Sequence, residues 1–272
     1  MGRAMADAGD ATAAVLADLR DEGDAVERLV AGLAAKAWAL PTPAPRWTVA
    51  HQIAHLAWTD EQTLMAATEE AAFRDASQAA LAEPETFVDA GAERGAALPP
   101  AELLQRWRAG RGELLRVLGE VPRGRRIPWY GPSMSAAGMA TARLMETWAH
   151  GEDIVDALGE RREPTARLRH VVRIGVRARD FAYAVRGLQP PSEEFRVELR
   201  GLGGELWAHG PEDAGQRVTG DAVDFCRLVT QRIHKDDADV RAEGADAARW
   251  LEIAQAFAGL PGQGRPRKEE RP

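Results

Sequence analysis

The chain has 272 residues, 45% of them hydrophobic, and carries 42 acidic against 35 basic side chains for a formal charge of −7. That length and apolar content predict a folded protein with core enough for two domains rather than one. The acidic balance leaves no cationic surplus to displace counterions from a phosphate backbone, which argues against nucleic acid as a partner; a single cysteine excludes an internal disulfide and fits a reducing compartment.

At the start, Met1–Asp10 has neither the charged beginning nor the apolar stretch of a secretory signal. Every apolar run is broken by Arg, Asp or Glu before the ~20 residues needed to cross a bilayer, so the expectation is a cytoplasmic protein without a membrane anchor. From about Asp10 to Leu33, Val15, Leu16, Leu19, Val26, Leu29, Val30 and Leu33 recur at helical spacing and predict a long amphipathic helix. The prolines of Pro41–Pro45 break it. Trp47–Glu70 reads as a second helix, and Pro100–Leu118 as a third with Leu103, Leu104, Trp107, Leu114, Leu115 and Leu118 on its apolar side. Glu83–Pro99, between them, has only weak periodicity.

Pro122–Pro132 holds three prolines, three arginines, Trp129 and Tyr130, and is expected to form an ordered loop. A fourth helix follows from about Met139 to Leu158, with Gly159 placed to end it in a left-handed conformation. These four helices predict a bundle. A fifth helical pattern spans roughly Thr165–Arg186. The period then changes: Phe195–Leu199 and Glu205–His209 alternate about the turn Gly201–Gly204, predicting a β-hairpin. Gly220–Ile233 and Ala245–Phe257 look helical, with a short strand at Ala238–Ala242 between them, and the Arg/Lys/Glu/Pro-rich end has too little apolar content to pack. The expected organisation is a helical bundle over residues 1–162, a connecting helix and small α/β domain over 163–262, and a flexible tail over 263–272.

Two residue pairs carry chemistry. His51 and His55 lie one turn apart in the second helix, and Glu146 and His150 have the same spacing in the fourth, so each pair can turn two side chains toward one ion if the helices pack together. Imidazole and carboxylate suit Zn²⁺ and similar borderline ions, and a site with three protein ligands leaves a position open for catalysis. The bland alternative is a pair of core histidines held by carboxylates or backbone groups. Spacing alone does not choose between His51 and His55, and a four-ligand site using both is compatible with it. Asp153, three residues past His150, is near enough to orient its ring, although a surface salt bridge is the simpler role.

Trp47–Ala57, with its Trp-Thr-Val start and His55-Leu-Ala end, resembles the ligand helix of the DinB/YfiT-like metalloprotein superfamily, and Glu146–His150 resembles its second ligand helix. The nearest branch is that of the mycothiol-dependent maleylpyruvate isomerase-like proteins, and Val218–Arg232 is similar to a strand-to-helix segment in the sterol-carrier-like domain of that branch. The resemblance implies an α+β protein, a DinB-like four-helix bundle followed by a small α/β sterol-carrier-like domain. It implies a divalent metal on His55, Glu146 and His150, with Zn²⁺ expected and Ni²⁺ or Fe²⁺ compatible. His51 then becomes a group beside the ligands or facing substrate, and Arg232, ending its helix, either a catalytic or cofactor-binding residue that reaches a thiol or, equally, a charge that favours the negative end of its own helix. The implied cosubstrate is mycothiol, held by the metal as its nucleophilic thiolate, and the implied partner is a small electrophilic molecule that undergoes S-transfer or isomerisation.

The same ligands would serve a thiol-independent lyase, hydrolase or cyclase, and the second domain would serve a non-catalytic carrier of an apolar ligand. Arg123, Arg125 and Arg126 beside Trp129 and Tyr130 can be read as a carboxylate grip; a solvated basic loop with its rings packed on the bundle is the preferred reading. Cys226 shares helical spacing with Ala222, Phe225, Val229 and Ile233 and is read as core. His170, His209 and His234 lack partners at ligand spacing. No H-E-x-x-H, G-x-S-x-G, Walker or C-x-x-C pattern occurs, and oligomeric state is not written in the residues.

Overall fold

The computed structural model describes residues 2–270; Met1, Arg271 and Pro272, the outermost positions of the expected bundle and tail, lie outside them, as do the side chains of residues 1–10, Ala79 and Leu81. The chain forms two compact units, Met1–Arg162 and Glu163–Pro272. The first is all helical: α1 (Gly2–Val30), α2 (Ala35–Trp38), α3 (Val49–Thr68), α4 (Glu70–Ala82), α5 (Phe87–Ala96), α6 (Pro100–Glu120) and α7 (Ala136–Leu158). The long helices α1, α3, α6 and α7 pack as the expected bundle.

Periodicity explains the outer helices. On α1 the buried residues Val15, Leu19, Glu22, Val26 and Val30 form a single stripe, and α6 buries Leu103, Leu104, Trp107, Leu114 and Leu118. Helix α3 differs, because every residue from Gln52 to Asp60 is buried as it packs against α5, α6 and α7 at once. A helix buried all round forces its polar side chains to find partners inside the protein. Thr59 and Thr63 therefore donate to the carbonyls of His55 and Thr59, at 2.8 and 2.9 Å. Helix α7 begins at Ser135, whose hydroxyl accepts from the Gly138 amide, and ends at Gly159 with φ 65° as its sequence suggests.

Three helices fall outside the expected elements, the first being the four-residue α2. The chain kinks at Glu69 and resumes as α4, and the weakly periodic stretch contains α5. The face that α5 buries consists of Gly91, Ala92 and Gly95. A methyl group added at Gly91 would stand 2.7 Å from the Trp58 ring, and one at Gly95 2.7 Å from the Ala54 Cβ. The helix is held by close backbone approach, and small residues leave no hydrophobic period to read.

The loop before α7 is ordered, as expected. Ile127 and Met134 pair through 2.7 and 2.9 Å backbone hydrogen bonds, and Arg125 donates to the Ala67 carbonyl at 2.7 Å. Trp129 stacks on Phe73 with a centroid separation of 5.8 Å, and the Tyr130 hydroxyl donates to Gln62 at 2.8 Å. The rings are thus packed on the bundle, and no ligand grip is needed to explain Arg125.

The second unit contains α8 (Leu168–Arg177), α9 (Arg179–Ala184), β1 (Arg196–Arg200), β2 (Leu206–His209), β3 (Arg217–Asp221), α10 (Ala222–Val229), β4 (Val240–Glu243) and α11 (Ala245–Ile253). The single helix expected over Thr165–Arg186 is two, parted at Ala178. The sheet runs β2-β1-β3-β4: β1 and β2 form the expected antiparallel hairpin, β1 and β3 are parallel, and β4 is antiparallel to β3. The helix expected from Gly220 starts later, because Asp221 caps it by accepting from the Val223 and Asp224 amides. Cys226 is fully buried among Leu168, Phe225, Val229 and the rest of this core. In the stretch expected as a tail, Arg267 pairs with Asp236, and the Lys268 amide donates to Asp237 at 2.7 Å. No helix among the described residues is long and apolar enough to cross a membrane.

Candidate metal centre

Packing of α3 against α7 brings His55 to Glu146 and His150. The Glu146 Oε2 atom lies 3.4 Å from His55 Nε2 and 3.2 Å from His150 Nε2, the two imidazole centroids are 4.5 Å apart, and one donor atom from each residue lies within 4.8 Å of the others. Ligand bonds of about 2.1 Å meeting at a tetrahedral angle put donor atoms roughly 3.4 Å apart. The two contact distances are those of groups arranged around a small cation. Among the described residues this is the one cluster of His, Cys, Asp and Glu donors with such convergence.

Hydrogen bonding around His150 sets its tautomer. Thr42 Oγ1 donates to the Trp47 carbonyl at 2.9 Å, so it must accept from the Gln52 amide nitrogen, 2.8 Å away. That turns Gln52 Oε1 toward His150 Nδ1 at 2.5 Å, and an amide oxygen can only accept. The His150 proton is therefore on Nδ1, and the Nε2 lone pair faces Glu146, the outer-shell arrangement typical of ligating histidines. His55 presents a different case: its polar contact is to Glu146, and its Nδ1 is buried with no hydrogen-bond partner among the described residues. The bundle's own hydrogen bonds do not consume that ring. Two nitrogens and a carboxylate facing one another need positive charge between them, and a divalent cation fits that donor set.

His51 does not join the cluster. Its Nδ1 accepts from the Thr48 amide at 3.3 Å as half of the capping box that starts α3, which leaves the proton on Nε2 to be donated to Glu93 of α5 at 2.8 Å. Asp153 is fully buried rather than a surface ion pair, with Oδ2 3.9 Å from His150 Nδ1, farther than Gln52. Arg232 belongs to the second unit and donates to the Thr230 carbonyl at 2.5 Å just past α10. His234 accepts from the Asp236 amide at 3.1 Å.

Several contributors to the site have no signal in spacing. Trp47 lies over the histidines, 5.1 Å from the His55 ring and 5.8 Å from that of His150, and its indole N–H donates to Asp89 of α5 at 2.9 Å. Farther along the same helix pair, Arg143 of α7 meets Asp60 of α3 at 3.0 Å, both buried. Burial pushes the Asp60 carboxyl up, while Arg143 and Trp107 pull it back. Gln52 has no signal in the sequence beyond its place in the helix that carries His55.

The family described as the mycothiol maleylpyruvate isomerase N-terminal domain matches residues 19–155, which span the whole donor cluster. The chain belongs to this family, in the DinB-like superfamily. A second family, described as wyosine base formation, matches residues 191–243 in the other unit. Two relatives from two strains of Mycobacterium tuberculosis, each named only as an uncharacterized protein, are 59% identical over 250 residues, covering 92% of this chain and 97% of theirs. The crystal structure of the mycothiol-dependent maleylpyruvate isomerase is similar in fold, with a TM-score of 0.58 at 16% identity over 87% of this chain and 95% of that one. A histidine-to-alanine variant of the same enzyme gives 0.57 over the same shares.

Proposed function

We propose that this family member is a metal-dependent enzyme that uses a low-molecular-weight thiol, mycothiol, in isomerisation of or S-transfer to a small electrophilic substrate. The observation that carries the reading is the convergence of His55, Glu146 and His150 at ion-sized spacing, with Gln52 leaving the His150 Nε2 lone pair directed inward. The matched family and the fold neighbour, both described by their mycothiol chemistry, supply the thiol. The donor set suits Zn²⁺ first and accommodates Ni²⁺ or Fe²⁺.

Those three side chains would hold the ion, which when bound supplies Lewis acidity and favours the thiolate form of a coordinated thiol near neutral pH. The chain's own groups prepare the place. Gln52, anchored through Thr42, fixes the His150 ring against rotation, and Trp47 covers the imidazoles and keeps water from that side. His51 joins the start of α3 to α5 through Glu93, the helix that also carries the Asp89 partner of Trp47.

The test combines elemental analysis with product analysis. Purified wild type is expected to carry about one equivalent of divalent metal that His55→Ala and Glu146→Ala lose. With maleylpyruvate, turnover read by mass spectrometry is expected to need both metal and mycothiol. Equal occupancy in wild type and Glu146→Ala overturns the ligand set. Turnover that proceeds without thiol assigns the site to the lyase, hydrolase or cyclase class instead.

A further inference from the structure

Two tryptophans flank His55 and are held in different ways. Trp58, 6.1 Å from that imidazole, is buried in the bundle, with Phe87 edge-on at 5.0 Å and Gly91 close against its ring. Trp47, 5.1 Å from His55 and 5.8 Å from His150, is only half-buried, and the one polar group of its side chain, the indole N–H, donates to Asp89 Oδ1 at 2.9 Å. Arg46 pairs with Oδ2 of the same carboxylate. Neighbouring side chains of an extended chain point apart; these two meet one acceptor across a left-handed Arg46, with φ 68°, a conformation uncommon for a residue with a Cβ. The backbone here is tied down: the Trp47 carbonyl accepts from the Thr42 amide at 2.8 Å and from its hydroxyl at 2.9 Å, and the Trp47 amide donates to the Ala44 carbonyl at 3.0 Å. Freedom is left to the ring, and the ring is what lies over the imidazoles.

We propose that the Trp47 ring is a gate over the donor cluster and that Asp89 is the positioning residue that latches it shut. A half-buried ring held at its edge by one surface carboxylate turns outward by side-chain rotation alone once that bond breaks. Because Thr42 keeps its hold on the Trp47 carbonyl and on Gln52, the swing leaves the His150 tautomer in place. Closed, the ring keeps water and chelators from the imidazole faces; open, it admits a ligand to them. The gate's part in metal exchange rests on the metal-centre reading above, whereas the shielding of the two imidazoles does not.

Acylation of the chelator-treated full chain by diethyl pyrocarbonate, read histidine by histidine through peptide mass spectrometry, tests the latch, with His170 of the other unit as internal reference. Asp89→Ala and Trp47→Phe remove the acceptor and the donor of the same bond, and each is expected to speed modification of His55 and His150 about tenfold relative to His170, the scale of one hydrogen bond to a charged group. Asp89→Asn keeps an acceptor for the indole and is expected to stay within about threefold of wild type. In a Trp47→Ala background, Asp89→Ala is expected to add nothing, because a latch without its gate has no work; a merely structural role in α5 would still add its effect. In the metal-loaded protein, release to a chelator is expected to quicken by about the same factor in Asp89→Ala at unchanged stoichiometry. Unchanged acylation in Asp89→Ala and Trp47→Phe, or an Asp89→Ala effect that persists undiminished in Trp47→Ala, would overturn the proposal. A wild type that carries no metal would end the metal-centre reading while acylation still decides the latch.

Discussion

Gln52 shows how a residue with no chemistry of its own can decide what its neighbours do. Its amide is held at one end by Thr42 and dictates the His150 tautomer at the other. Gln52→Ala is expected to weaken metal binding about 10–100-fold, the usual cost of losing an outer-shell partner, with helicity unchanged; chelator competition measures it. The Asp60–Arg143 pair behaves differently, being buried with Arg143 Nη2 unpartnered among the described residues. Arg143→Met alone strands a carboxylate in the core and should cost about 3–5 kcal/mol in urea unfolding, whereas the double change Asp60→Leu with Arg143→Met should return close to wild type. The pH response has a definite sign. Because Asp60 titrates above its usual 3.8 in the folded protein, the native state takes up this proton before the unfolded chain does, and the residue's contribution to stability rises as pH falls through that raised value. The stability difference between wild type and the double variant should therefore move in favour of wild type on acidification.

At the level of elements, periodicity was a reliable guide wherever a helix buries branched side chains on one face, as in α1 and α6. It failed at α5, which packs through glycine and alanine and leaves its polar residues Asp89 and Glu93 to hold Trp47 and His51. Gly91→Ala tests this view of α5. Alanine gains about 1 kcal/mol of helix propensity, yet its Cβ would enter the Trp58 ring, and overpacking of that kind costs about 1–3 kcal/mol. A net loss of stability in urea is expected, and a net gain would mean that α5 is not held by close approach. The site was partly legible at this scale: the i, i+4 spacings placed the histidines and Glu146 on common helix faces, but nothing in the α3 spacing preferred His55 to His51. The capping box at Thr48 makes that choice, since it occupies the first histidine's Nδ1 and directs its other nitrogen toward Glu93.

For the whole molecule, all three donors and their supporting residues lie in the first unit, while the mixed sheet of the second has its own core of Phe195, Leu199, Val218, Phe225 and Trp250. A ligand that binds only the native state stabilises the unit that binds it. Stripping metal with a chelator is therefore expected to lower the calorimetric transition of the helical unit and leave that of the α/β unit in place; an equal shift in both would contradict confinement of the site to the first. The residues by themselves determined the bundle, the change of period to a sheet after Pro191, and the pairing of Glu146 with His150, because these depend on turn-by-turn spacing along one chain. Only the tertiary structure decided which α3 histidine faces that pair, which tautomer Gln52 imposes and where α5 lies, because each depends on side chains from separate helices filling the same few ångströms.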